Sequence, residues 1–221
     1  MKQSENLYSK NNSDLLFRNV SFSWQSNGVS CIKNCNFNIS GGGLWMIVGK
    51  NGCGKSTLFK LIKGVLQPDS GLIQRPANIS MVFQNPDHQI LMPSCASELI
   101  LNINRILSKK EIDKKVDETL NFVGLPGFLK RPVHTLSGGQ KQRLAIASAL
   151  ISDSKFLLMD EPTALLDEFS QKQILEIIKN LTASKIEPFT VLWITHRMEE
   201  LQYANHIASM KNGRLSEWKN A

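Results

Sequence analysis

Hydrophobic residues along the chain fall into short runs of two kinds. From Leu15 to Trp24 apolar and polar positions alternate, Phe and Val are frequent, and a second apolar run follows at Phe37–Ile39. This pattern predicts antiparallel strands at a sheet edge. Leu44–Val48, Lys155–Met159 and Phe189–Ile194 are instead apolar runs, broken only by Lys155 and Thr190, as in parallel strands covered on both faces. The first enters a glycine-rich turn and then a helix-like stretch from Lys55 to Lys63, the strand, loop, helix order of a nucleotide-binding unit. The other two run into Asp160 and His196, so their C-terminal tips are expected to line one crevice.

The section between these strands reads as helical. Ser108 followed by Glu111 predicts a capping box, and Ile112, Val116 and Leu120 repeat at helical spacing behind it. This section predicts an inserted helical lobe over about residues 88–151. Near the end, Ile207–Met210 and Arg214–Ser216 flank Asn212 and Gly213, which predicts a β-hairpin. The 221 residues suffice for one domain with a full core and a smaller inserted lobe. The β section is expected to occupy about 15–87 and 152–221, with no room for a further C-terminal domain.

Composition narrows the class. With 42% hydrophobic and 20% charged residues, the chain is expected to be soluble and globular. Its apolar runs fall far short of the roughly 18–20 residues that cross a bilayer. The polar segment Met1–Asp14 lacks the apolar core of a secretory signal, so it reads as a frayed end of an intracellular protein. Cysteines 31, 35, 53 and 95 have no CxxC spacing, which argues against zinc; they read as free thiols. A net charge of +7 and a pI near 9.3 suit an anionic partner or the acidic inner face of a membrane.

Three segments carry chemistry. Gly49, Lys50, Asn51, Gly52, Cys53, Gly54, Lys55 and Ser56 match the phosphate-binding pattern GxxxxGK[ST] between a predicted strand and a predicted helix. Its glycines let backbone N–H groups face phosphate oxygens, and the helix N-terminus adds roughly half a positive charge. Lys55 is expected to reach the β- and γ-phosphates, Ser56 to ligate Mg²⁺ and Thr57 to hold the α-phosphate of ATP. Phe156–Asp160 is an apolar strand ending in a carboxylate, followed directly by Glu161. Asp160 would orient Mg²⁺, and Glu161 would polarise the attacking water, a role worth about 10²- to 10⁴-fold in rate. Finally, Ser137, Gly138, Gly139 and Gln140 open a helix-like segment running to Ile151 and form a second helix start able to cradle an anion. Two such sites for one nucleotide are reconciled most simply by a second subunit. At Cys53 the small side chain reads as filler.

GKNGCGKST, LSGGQKQR, FLLMDEP and ITHR, in that order, resemble the ATP-binding cassette (ABC) family over nearly the whole chain. The resemblance implies an α/β fold, a P-loop NTPase (RecA-like) core with an antiparallel β subdomain and an inserted helical subdomain. It also implies ATPase activity with ATP and Mg²⁺, and a head-to-tail pair of cassettes sandwiching each ATP between Gly49–Thr57 of one and Ser137–Gln140 of the other. Gln84 matches the glutamine linking the nucleotide and its metal to the membrane partner, His196 the switch histidine at the γ-phosphate, and Trp24 the aromatic stacking on adenine. Asp167 matches the aspartate at the dimer seam, where Leu165 departs from the commoner small residue.

The string VFQNPDHQI resembles the cassettes of energy-coupling factor importers and their cobalt and nickel relatives. That likeness implies an importer of a vitamin or a transition-metal ion, with the chain peripheral on the cytoplasmic face of the membrane, bound to integral membrane subunits and to an identical or different second cassette. Ser94–Glu98 departs from the acidic run usual there. Other importers or exporters, and soluble cassettes of translation or DNA repair, are the alternatives. The latter carry two cassettes or a long coiled-coil insertion, which this chain lacks, so no nucleic acid is expected.

Overall fold

The computed structural model describes residues 14–24, 30–103, 105–152, 154–183 and 189–221. The expected frayed end therefore lies, apart from Asp14, outside the described residues. Two sheets pack around one centre. The smaller contains β1 (Leu15–Ser23), β2 (Ser30–Ile39) and β4 (Ser70–Gln74), all antiparallel in the order β2-β1-β4. The larger contains β3 (Gly43–Val48), β5 (Ile79–Val82), β6 (Phe156–Asp160), β7 (Thr190–Thr195), β8 (His206–Lys211), β9 (Arg214–Leu215) and β10 (Lys219–Asn220). Its order is β10-β8-β3-β7-β6-β5, with β9 paired to β8, and β3, β5, β6, β7 and β8 run parallel.

The continuous apolar strands are covered on both faces, as their sequences predict. In β3, Leu44 and Met46 enter one core while Trp45 and Ile47 enter the other. The same two-residue alternation divides Leu157 and Met159 from Phe156 and Leu158 in β6, and Val191 and Trp193 from Leu192 and Ile194 in β7. One core lies under the small sheet and α1 (Lys55–Ile62). The other lies under α2 (Cys95–Leu101), α3 (Lys109–Phe122), α4 (Gly138–Ile151) and α5 (Glu168–Thr182). The capping box forms at the start of α3, with Ser108 N–H donating to Glu111 Oε2 at 2.8 Å and Glu111 N–H donating to Ser108 Oγ.

Two expectations are corrected. β1 is the centre of its sheet and not its edge, because the short strand β4, SGLIQ, pairs with its free side. Mostly exposed and beginning Ser-Gly, β4 carries no hydrophobic pattern of its own and exists through its partner. β2 extends back to Ser30, well before the apolar run Phe37–Ile39, since cross-strand pairing from Ile39 opposite Leu15 to Ser30 opposite Ser23 extends the strand. The closing hairpin is as predicted: Asn212 and Gly213 both have positive φ, 52° and 79°, the pair of angles a two-residue type I′ turn requires.

Candidate nucleotide site

The site grows from the C-terminal tips of β3, β6 and β7, which lie side by side through parallel pairing: Val48 opposite Thr195, and Asp160 opposite Ile194. After Val48 the chain turns through Gly49–Gly54 into α1. Gly54, at φ 112°, precedes the helix without any side-chain cap, so the first N–H groups of α1 are left for an anion. A Cβ at Gly54 would stand 2.8 Å from the Cys31 carbonyl oxygen, so no larger residue fits the turn.

Lys55 is 6% exposed and curls back over the loop. Its Nζ donates to the carbonyls of Gly49 at 2.7 Å and Lys50 at 3.1 Å, and stands 3.7 Å from Glu161 Oε1. On β6, burial and the charge of Glu161 push Asp160 above the ordinary carboxylate range, against the opposing pull of Lys55, a hydrogen bond with Ser56, and Lys60. Two adjacent carboxylates with a serine hydroxyl bonded to one of them form a hard oxygen donor set, which fits Mg²⁺.

Glu161 has φ 47°, a left-handed conformation rare for a side-chain-bearing residue, held by its N–H donating to the Ile194 carbonyl at 3.0 Å. This turn aims its carboxylate across the site, where Oε2 lies 2.9 Å from His196 Nδ1. Cys31, Asn51, Gly52, Gly54, Lys55, Ser56, Thr57, Gln84, Asp160 and Glu161 line one cavity of about 470 Å³. Gly49, Lys50, Cys53 and His196 line a second, of about 940 Å³, on the other side of the loop. The Cys53 sulfur packs 2.8 Å from where a Gly49 Cβ would stand and touches the core, so its position is that of packing filler.

Trp24 and the segment Ser137–Gln140 line neither cavity. Trp24 is 37% exposed, meets Phe22 edge-on, and has Lys60 Nζ 5.5 Å from its ring centroid. Ser137 caps α4, with its Oγ accepting from Gln140 N–H at 3.3 Å and its own N–H donating to Gln140 Oε1 at 3.0 Å. Ser137 and Gly138 face outward. Gly139 is buried where any Cβ would collide with Ser170 on α5.

Two groups had no role at the site in the sequence reading. The Cys31 thiol donates to Thr57 Oγ1 at 3.2 Å, placing a sulfur in the wall of the smaller cavity. Behind the β6 and β7 tips, buried Glu200 accepts from the Thr163 hydroxyl and, at 3.2 Å, from Trp193 Nε1. Thr163 sits in the string EPT after Glu161, but nothing marks Glu200, in MEEL, as its partner.

A glycine loop between a parallel strand and a helix, with a carboxylate pair on one neighbouring strand tip and a histidine on the next, defines a P-loop nucleoside triphosphatase. The chain belongs to the ABC transporter family: the family's profile matches residues 32–164. It is therefore an ATP-binding ATPase. ABC transporter I family member 10 of Arabidopsis thaliana is 44% identical over 205 residues, covering 90% of this chain and 75% of that protein. The energy-coupling factor transporter ATP-binding protein EcfA1 of Oceanobacillus iheyensis is 36% identical, with 89% and 75% covered. Among solved structures, CbiO1 of Clostridium perfringens, described as part of the ABC transporter complex CbiONQ, superposes with a TM-score of 0.83 at 33% identity, covering 93% of this chain and 88% of that one. Among the described residues no helix is long and apolar enough to cross a membrane.

Proposed function

We propose that this chain is the ATP-hydrolysing subunit of an energy-coupling factor-type importer, which takes up a vitamin or a transition-metal ion through separate membrane subunits. Its likeness to EcfA1 and to CbiO1 supports that reading, and the string from Val82 to Ile90 is of the kind those cassettes carry. The protein then sits peripherally on the cytoplasmic face of the membrane, held there by its partners.

In this reading Lys55 and the N–H groups of the loop bind the β- and γ-phosphates, and Ser56, Asp160 and Gln84 hold Mg²⁺, which offsets phosphate charge. Glu161 orients and deprotonates the attacking water, and His196 holds Glu161 in place and meets the γ-phosphate. Trp24 stacks on adenine, with Lys60 beside it.

The carrying observation is the separation of two anion-binding helix starts. That of α1 opens into the cavity with Glu161, whereas Ser137–Gln140 stands outside it, with Ser137 and Gly138 facing outward. A second cassette, identical or different, supplies the missing wall, so ATP lies between Gly49–Thr57 of one chain and Ser137–Gln140 of the other. The test is sedimentation of Glu161→Gln with MgATP. We expect a dimer, returned to monomer by adding Ser137→Arg. Monomer alone, even with the membrane subunits present, overturns the two-chain site.

A further inference from the structure

Gln84 follows Phe83, whose two backbone polar groups are both held by glutamine side chains. The Phe83 N–H donates to Gln89 Oε1 at 3.2 Å, and its carbonyl accepts from Gln142 Nε2 at 3.0 Å. Gln89 Nε2 donates onward to the Ala145 carbonyl at 3.4 Å. Both connections end on α4, at residues less than one turn apart. The amide orientations are dictated by the partners, because a carbonyl only accepts and a peptide N–H only donates. The N–H belongs to the peptide before Phe83 and the carbonyl to the peptide after it. Holding both fixes the two soft torsions of that residue.

Gln142 is fully buried, and its Oε1 has no hydrogen-bond partner among the described residues. A buried amide with an idle acceptor costs stability relative to an apolar side chain of the same size. Among the described residues the Phe83 carbonyl is the one partner that this side chain serves. An outer strut runs parallel to it: Lys141 Nζ lies 2.7 Å from Asp87 Oδ1. Between the struts, Asn85 Oδ1 accepts from Asp87 N–H at 3.0 Å and caps the single turn Pro86–His88, which brings Gln89 back beside Phe83. Phe83 and Gln89 also share the wall of a cavity of about 640 Å³ with Ser56 and Asp160.

We propose that Gln142 and Gln89 are positioning residues for Gln84, making the Phe83–Gln84 backbone and α4 move as one body. A displacement of α4 at its Ser137 end then arrives at Gln84, in the cavity with Lys55 and Glu161, instead of being absorbed by the loop. The ATPase role given to Gln84 is taken from the reading above, but the mechanical link stands on its own contacts.

The test is hydrogen exchange of the nucleotide-free chain, joined to steady-state ATPase kinetics, for Gln142→Met and Gln89→Met. Each substitution keeps side-chain length and removes the amide. Loss of one net hydrogen bond gives an increase of about fivefold to tenfold in exchange over residues 83–91. Residues 138–151 should exchange as before, and kcat should fall about tenfold with KM for ATP within about twofold. Unchanged exchange over 83–91, equal acceleration over 138–151, or a loss confined to KM would each overturn the proposal. Gln89 is only partly buried, so its variant decides the matter if Gln142→Met does not fold. Because the exchange measurement uses no nucleotide, it is decided independently of the dimer test.

Discussion

His196 Nδ1 lies 2.9 Å from Glu161 Oε2, although the two residues follow different strands and are far apart in sequence. Parallel pairing of β6 with β7 makes them neighbours, and the left-handed turn at Glu161 directs its carboxylate toward the ring. A general base held by a second side chain keeps its orientation while water and phosphate exchange around it.

Glu161→Gln removes the proposed base and leaves the loop and Lys55 in place. The kcat for ATP should fall by about 10²- to 10⁴-fold, with ATP affinity retained. Phosphate release and equilibrium titration on the same sample check both parts.

Lys55 holds the loop carbonyls, and the phosphate as well in the function proposed above. Lys55→Ala removes its hydrogen bonds to the carbonyls of Gly49 and Lys50 together with the charge meant for the nucleotide. A charged hydrogen bond is worth about 1.5–3 kcal/mol, so affinity for labelled ATP should fall at least about tenfold. An unchanged titration would remove Lys55 from the site.

Asp160 supplies a pH dependence with a definite sign. Its folded value is raised by burial and by Glu161, so the nucleotide-free fold binds this proton more tightly than the unfolded chain does. The ionised group therefore costs stability at neutral pH, and that cost disappears as pH falls through the raised value. Asp160→Asn should raise the melting temperature at pH 7, by an amount that shrinks toward acid pH, while lowering Mg²⁺-dependent turnover. Thermal scans across pH without nucleotide test the first part.

Gly213 ties the terminal hairpin to the phosphate loop: its N–H donates to the Cys53 carbonyl at 3.0 Å, and its carbonyl accepts from Lys33 N–H at 2.8 Å. At φ 79°, with the Cys31 carbonyl where a Cβ would go, alanine is strained and crowded. Gly213→Ala should cost about 1–3 kcal/mol, lower the melting temperature by about 2–4 °C for each, and weaken ATP binding through the shifted Cys53. Asn212→Gly, at the neighbouring left-handed position, should leave both unchanged. Calorimetry and ATP titration of the two variants make the comparison.

Much of this arrangement is visible in the chain because the relevant physics is local. The phosphate loop combines glycines, a lysine and a hydroxyl within a few residues; continuous apolar runs announce the covered strands; Ser108 and Glu111 cap a helix within one turn. Other elements depend on partners. β4 and β10 are short and mostly exposed, and pairing with β1 and β8 makes them strands. α5, with Ile174, Leu175, Ile177 and Ile178 buried along one side, carries no motif and had no reading in the sequence.

By itself the sequence determined which residues carry the donor groups that a phosphate, a metal and water require, since donor type and close spacing are written in the chain. Only the tertiary structure decided which of them meet. Glu161 finds His196, Thr163 finds Glu200, and Phe83 finds Gln142, through a parallel sheet and buried helices that join residues 35 to 59 positions apart. The same folding left Ser137 outside the cavity that holds Lys55. Side-chain periodicity specifies which face of an element is buried, but the partner across that face depends on the packing of the whole core.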